Sequence, residues 1–245
     1  MQLNDSQRRR YARHLVLPEI GQEGQARLLR SKVLVVGAGG LGSPVAFYLA
    51  AAGVGTIGIM DGDTVDLSNL QRQILHTTAS LDQLKTSSAQ ERIAALDPGI
   101  SIEPYPFRLT ETNAPEILAR YDFIVDATDN FDSKFLIARA CHLAGKAWSH
   151  AGIRNFHGQT MTVLPGRTAC YRCVFHEDGA PRGGEPQGPL GALPGVIGSI
   201  QAIEAVKHLL GIGAPLTNAL LTFDALSMSF RKVPVLRDPG CPLCS

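Results

Sequence analysis

The sequence has almost no net charge. Its 245 residues carry 23 Lys and Arg against 22 Asp and Glu, a formal +1. No overall basic excess therefore points to nucleic acid or to an anionic membrane surface. The run Arg8-Arg9-Arg10 reads as a solvated helix face. The opening MQLNDSQRRR lacks the apolar core of a secretory signal, and a cytoplasmic protein is expected. One long stretch without charge exists, residues 33–60, but seven glycines and Pro44 interrupt it, so it is not a membrane helix. No G-x-x-x-x-G-K-[ST] loop occurs, which removes Walker-type NTPases. Cysteines are few, five in all, and no internal repeat or clear linker is visible. The length is enough for a substantial core, and residues 1–245 are expected to form one domain.

What is present is concentrated in residues 32–72. An apolar run, 33–36, meets the cluster Gly37-Ala-Gly-Gly-Leu-Gly42. Ser43 and Pro44 follow as expected N-cap and first helical residue, then an Ala-rich stretch, then a second apolar run ending at Asp61. Strand, glycine loop, helix, strand and acid in this order bind an adenine nucleotide. The glycines, Gly37, Gly39, Gly40 and Gly42, let backbone approach a phosphate at a helix N-terminus, and Asp61 stands where an acid meets a ribose hydroxyl. The glycine motif alone says adenine nucleotide without saying which, and by itself favours NAD.

The rest of the chain alternates. Residues 4–13 and a stretch ending near Arg30 read as short N-terminal helices, with Gly21 and Gly24 as punctuation before the second. Helices are expected over 84–96, 111–121 and 131–144, and strands over 101–105 and 123–125. This predicts a Rossmann-like, doubly wound, mostly parallel α/β sheet covered on both faces, over residues 31–150. Residues 151–245 differ. Strands at 148–152 and 159–164, a hairpin at 220–223 and 228–233, and a helix marked by Ile200, Ile203, Val206 and Leu209 predict an additional antiparallel section. Residues 176–194, rich in Gly and Pro, read as a long loop.

Arg72, Lys85 and Asp129 change the nucleotide reading. Two cations can balance phosphate oxygens and an acid can hold Mg²⁺, which suits a triphosphate better than a dinucleotide. Cys170/Cys173 and Cys241/Cys244 form two C-x-x-C pairs, a set of four thiolates that suits a closed, structural, tetrahedral zinc site. Cys141 lies among apolar neighbours and reads as a buried thiol, and the histidines show no ligand spacing.

These residues resemble a known family. Arg10-Tyr-x-Arg13-His14, the glycine loop, Asp66-Leu-Ser-Asn69-Leu-Gln-Arg72-Gln73, Lys85, Asp126-x-Thr-Asp129-Asn130 and the two C-x-x-C pairs are similar, over essentially the whole chain, to the MoeB/ThiF/HesA family, bacterial relatives of ubiquitin-activating enzymes. The resemblance implies a homodimer that uses ATP and Mg²⁺ to adenylate the C-terminal Gly-Gly carboxylate of a small ubiquitin-like sulfur-carrier protein. It implies Gly39 and Gly40 along the nucleotide, Asp61 on the ribose, Asn69, Arg72 and Lys85 at phosphates, Asp129 on magnesium with Asn130 beside it, and Arg13 reaching into the neighbouring subunit. The zinc is then structural.

Two departures shape the expectation. Residues 176–194 contain no cysteine of the kind that bonds the carrier covalently in some members, the aligned stretch reading Arg182-Gly-Gly-Glu185. No rhodanese segment follows the second C-x-x-C, so a separate sulfur donor is expected. The opening R-Y-x-R-H-L-x-L-P-E-x-G looks more like the molybdopterin-synthase branch, with the thiamine-pathway carrier as the near alternative. An NAD-dependent oxidoreductase and a non-catalytic scaffold for a ubiquitin-like protein are the distant ones.

Overall fold

Four short apolar runs, each buried on both faces, dictate the centre of the molecule. In the computed structural model, which describes residues 2–176 and 188–245, they form β1 (Lys32–Val36), β2 (Thr56–Met60), β4 (Phe123–Asp126) and the first half of β5 (Trp148–Arg154). With β3 (Ser101–Tyr105), β6 (His157–Val163), β7 (Ala219–Asp224) and β8 (Ser229–Pro234) they make one eight-stranded sheet in the order β3-β2-β1-β4-β5-β6-β7-β8. The first five strands in that order pair in parallel and the remaining pairs are antiparallel. Strand order reverses direction between β1 and β4, and the crevice at that point is where open α/β sheets bind ligands.

Side chains alternate across β1. Val33 and Val35 join one core with α4 (Gly42–Ala51), α5 (Lys85–Leu96) and α8 (Leu193–Leu210). Leu34 and Val36 join the other with α6 (Ala114–Ala119), α7 (Phe131–Leu143) and the Cys170 turn. The period of two forces this division. Three short helices precede the sheet, α1 (Asp5–Arg10), α2 (Ala12–Leu15) and α3 (Gly21–Leu28).

Several local expectations are revised. The first helix breaks at Tyr11, which is buried, donates to Asp97 Oδ2 at 2.9 Å and packs on Gly53. Gly21 opens α3 rather than ending a loop, using its left-handed φ of +55°, and Gly24 lies inside the helix. Ser43 is not an N-cap: α4 starts at Gly42, and the Ser43 hydroxyl donates to the Gly39 carbonyl at 2.7 Å. The helix expected over 111–121 is confined to Ala114–Ala119. Pro194 stands in the first turn of α8, where a missing N–H costs nothing, so the loop ends earlier than expected. The Arg182–Glu185 segment lies outside the described residues.

Candidate functional site

The glycine loop follows β1, and two of its glycines have no substitute. Gly37 has φ +103°, and a Cβ there would stand 2.7 Å from the Ala127 carbonyl oxygen. A Cβ on Gly42 would fall 1.9 Å from the Gly37 carbonyl oxygen. The loop therefore folds against the end of β4 as bare backbone, leaving a cleft of about 1240 Å³ at the carboxyl ends of the strands.

Gly37, Gly39, Gly40, Asp61, Arg72, Lys85, Asp129 and Asn130 all line this cleft. Gly42 lies behind them, at the start of α4. Asn69 does not line it; its side-chain oxygen accepts from the Arg72 Nη2 at 2.8 Å and so holds the guanidinium. Arg13 is absent from the cleft of its own chain and lies exposed on α2.

Asp61 Oδ2 accepts from the Ala38 N–H at 2.9 Å, tying the end of β2 to the glycine loop. Lys85 Nζ stands 3.9 Å from Asp61 Oδ2 and 3.3 Å from Asp63 Oδ2. Asp63 also takes Arg108 at 3.1 Å. Burial raises the Asp63 pKa, but the two cations outweigh it and hold the carboxyl below its ordinary range. Asp129 is exposed past the end of β4, and among the described residues its side chain accepts only from Asn130 Nδ2, at 3.4 Å. Asn130 caps α7 through Ser133 N. A free carboxylate oxygen beside the glycine loop is a donor fit for magnesium.

Beneath this layer lies a cluster that residue patterns did not reveal. Asp126, fully buried, accepts from Lys134 Nζ at 3.1 Å, meets His150 Nδ1 at 2.9 Å and accepts from the Thr128 hydroxyl at 2.6 Å. Burial alone would raise its pKa; Lys134 and His150 reverse the effect and hold it at about 2. Lys134 also donates to the Thr128 carbonyl at 2.7 Å and the Ala151 carbonyl at 2.6 Å, so it clamps the loop after β4 to the middle of β5. Burial lowers His150 to about 4, against the pull of Asp126, and keeps it neutral near pH 7. The only signal in the sequence was the D-A-T-D-N run itself, since Lys134 and His150 are distant from it in different elements.

The second centre joins both C-x-x-C pairs. The four sulfurs of Cys170, Cys173, Cys241 and Cys244 lie within 4.8 Å of one another, with contacts of 3.8, 3.5 and 3.4 Å. A tetrahedron with metal–sulfur bonds of about 2.3 Å has edges of about 3.8 Å. Backbone N–H groups of Cys170 and Asp238 point at Cys173 Sγ, the outer-sphere support that thiolate ligands use. These residues fit a closed metal site. Burial and the neighbouring sulfurs push the Cys170 thiol up, an effect a bound cation reverses. Cys141 lies apart, fully buried.

Fold and site together define a doubly wound nucleotide-binding protein with a four-cysteine cluster able to hold a metal. The chain belongs to the ThiF family, which matches residues 11–243. It is similar to the sulfur carrier protein adenylyltransferase of Thermus thermophilus, 49% identical over 244 residues that cover 96% of this chain and 90% of the relative. It is also similar to the SAMP-activating enzyme E1 of Haloferax volcanii, 44% identical over 248 residues, covering 100% of this chain and 91% of the relative. In fold it matches the crystal structure of Escherichia coli MccB with MccA-N7isoASN, at a TM-score of 0.86 and 22% identity, covering 98% of this chain and 75% of that one. Among the described residues no helix is long and apolar enough to cross a membrane.

Proposed function

We propose that this protein is an adenylyltransferase that uses ATP to activate the C-terminal Gly-Gly carboxylate of a small ubiquitin-like sulfur-carrier protein. The observation that carries the reading is one cleft holding a bare-backbone phosphate loop, two cations and a free acid, in a chain whose relatives bear that name. The carrier's carboxylate attacks the α-phosphorus, the bond to the β-phosphate oxygen breaks, and pyrophosphate leaves. That carboxylate is ionised at neutral pH, so no general base is needed. The rate then depends on alignment and on neutralising charge.

Backbone of Gly39 and Gly40 lies along the nucleotide, and Asp61 takes the ribose while it holds Ala38. Arg72, held by Asn69, and Lys85 bind phosphate oxygens; a phosphate competes with Asp63 for the Lys85 ammonium. Asp129 would hold magnesium, which when bound supplies further charge neutralisation at the phosphates. Arg13, exposed and away from its own cleft, serves the site of a second protomer in a homodimer. The four cysteines would hold zinc as a brace between the Cys170 turn and the C-terminal segment. Residues 1–30, the N-terminal helices, then carry Arg13, 31–150 bind the nucleotide, and 151–245 hold the zinc and bind the carrier. Among the described residues the cysteines are either in that cluster or buried, as Cys141 is, so sulfur comes from a separate donor protein.

The carrier is expected to be that of molybdopterin synthase. ATP–pyrophosphate exchange with a molybdopterin-type and a thiamine-type carrier tests this. Exchange with the first alone supports the assignment, exchange with the second alone moves it to the thiamine branch, and exchange with neither, in protein that contains zinc and binds ATP, withdraws the pathway assignment in favour of a different ubiquitin-like partner or a scaffold. Cys173→Ser is expected to lose bound zinc and melt at lower temperature; a parent free of metal, with a variant that melts alike, refutes the brace.

A further inference from the structure

At the opposite end of the sheet from the glycine loop lies a second concavity, of about 550 Å³. Its lining includes Arg27, Arg30, Lys146, Arg167 and His208, and one carboxylate, Asp122. The chain as a whole is nearly neutral, at +1, so four permanent cations around one cavity are a local concentration.

The ordinary explanation for cations here is helix termini. Carboxyl ends of helices collect on this side of a doubly wound sheet, and cations neutralise their dipoles and cap their carbonyls. That accounts for two of the four. Arg27 donates to the Leu210 carbonyl at 3.3 Å, and Lys146 donates to the carbonyls of Ala119 and Tyr121 at 3.1 and 2.8 Å. It does not account for Arg30 and Arg167. Among the described residues neither guanidinium makes a hydrogen bond or ion pair. Asp122 does not serve them: its Oδ2 accepts from the Lys32 backbone N–H at 2.8 Å, and it forms no ion pair with any lining cation among the described residues.

His208 lies between these groups, its ring 5.1 Å from that of Phe123. Burial lowers its pKa, Arg27 and Arg167 lower it further, and Asp122 alone opposes them. The imidazole is thus a neutral group in a field of cations, and an anion placed among them would raise its pKa.

We propose that this cavity binds a multivalent oxyanion of the phosphate class, held by Arg30 and Arg167 with Arg27, Lys146 and His208 around it. Guanidinium forks match phosphate and sulfate oxygens in pairs. The volume falls within the usual range of small-molecule sites, about 300–1,000 Å³, and a concave site favours a small anion over a flat protein surface. The site is separate from the nucleotide cleft, yet α8 joins them. Pro194 at its start packs near Gly40, and His208 near its end lines the cavity, about 20 Å away along the helix.

The test follows His208 by imidazole NMR, its signal assigned with His208→Gln, during titration with inorganic sulfate and, separately, pyrophosphate at constant ionic strength. Sulfate remains a dianion throughout the range where histidine titrates. Saturable movement of the His208 signal with an upward shift of its pKa is expected. The double variant Arg30→Ser with Arg167→Ser is expected to weaken both anions at least tenfold while leaving pyrophosphate exchange unchanged. Arg72→Ala with Lys85→Ala, which disables phosphate binding in the cleft, is expected to leave the His208 response intact. A linear response, or a response lost with the cleft variant and kept in Arg30→Ser/Arg167→Ser, overturns the proposal. A response to a short acidic peptide but to neither inorganic anion also overturns it, and assigns the face to a protein.

Discussion

Two lysines line the same cleft, and their partners set them apart. Lys85 and Lys134 are equally withdrawn from solvent, with side chains 7% and 8% exposed. Lys134 faces Asp126, which is 0% exposed, and the carbonyls of Thr128, just past β4, and Ala151, in β5. Lys85 has its nearest carboxylate in Asp63, 3.3 Å away, 52% exposed and shared with Arg108, while the withdrawn Asp61, 10% exposed, stands farther off at 3.9 Å and is held by the Ala38 N–H. A buried carboxylate cannot return to water, so the Lys134 pair is fixed. An exposed one can, so in the proposed reading Lys85 exchanges Asp63 for a phosphate. The same chemistry is structural in one place and available for function in the other, and the desolvation of the acid decides which.

The largest effect expected from this contrast is on stability. Lys134→Met leaves Asp126 charged, buried and short of its main partner, and is expected to cost about 3–5 kcal/mol. Urea unfolding measures it, and a cost below 1 kcal/mol would erase the distinction between the lysines. Lys85→Ala is expected to leave unfolding almost unchanged while pyrophosphate exchange falls by about 10²–10³-fold, the usual weight of one donor to developing charge. Asp129→Ala belongs with it: exchange abolished, fold and dimer kept. Near-normal turnover of that variant refutes the metal role.

Acid probes the fixed cluster next. His150 is depressed to about 4 in the folded protein against about 6.5 in an unfolded chain. The unfolded state therefore takes up the proton first, and the contribution present above pH 6.5 is lost as pH falls toward 4. Roughly 3 kcal/mol of stability is expected to disappear across that window. His150→Gln should flatten the curve there; an unchanged slope would mean that the titrating group lies elsewhere. The smallest effect concerns the exchangeable pair. Asp63→Asn removes a competitor for Lys85 and a negative charge from the cleft, and should lower KM for ATP by about threefold with little change in unfolding. A raised KM would show that Asp63 positions the lysine for ATP.

Much of the site was legible because it is local. Gly37 to Asp61 is a strand–loop–helix–strand unit whose spacing is fixed by the length of α4. Arg72 and Asn69 lie one turn apart, and each C-x-x-C pair is a single turn. The failures were of another kind. Ser43 has the residue type of an N-cap, but close packing of Gly42 on Gly37 starts the helix one residue before it. The N-terminal helix has good local propensity, and the contact of Tyr11 with Asp97, 86 residues away, breaks it. Lys134 and His150 look ordinary in a helix and a strand until β4 and β5 pair and bring both to Asp126.

By itself the sequence determined the strand–helix alternation, the bare-backbone phosphate loop, the polar residues offered to a nucleotide and the two thiol pairs. Each is set by spacing within one or two elements. Only the tertiary structure decided which ions are fixed and which are exchangeable, that Asn69 serves Arg72 rather than the cleft, that Asp61 ties β2 to the loop, and that Arg30 and Arg167 share a cavity without partners among the described residues. Those outcomes depend on desolvation and on distances between elements far apart in the chain, and neither quantity is written in residue order.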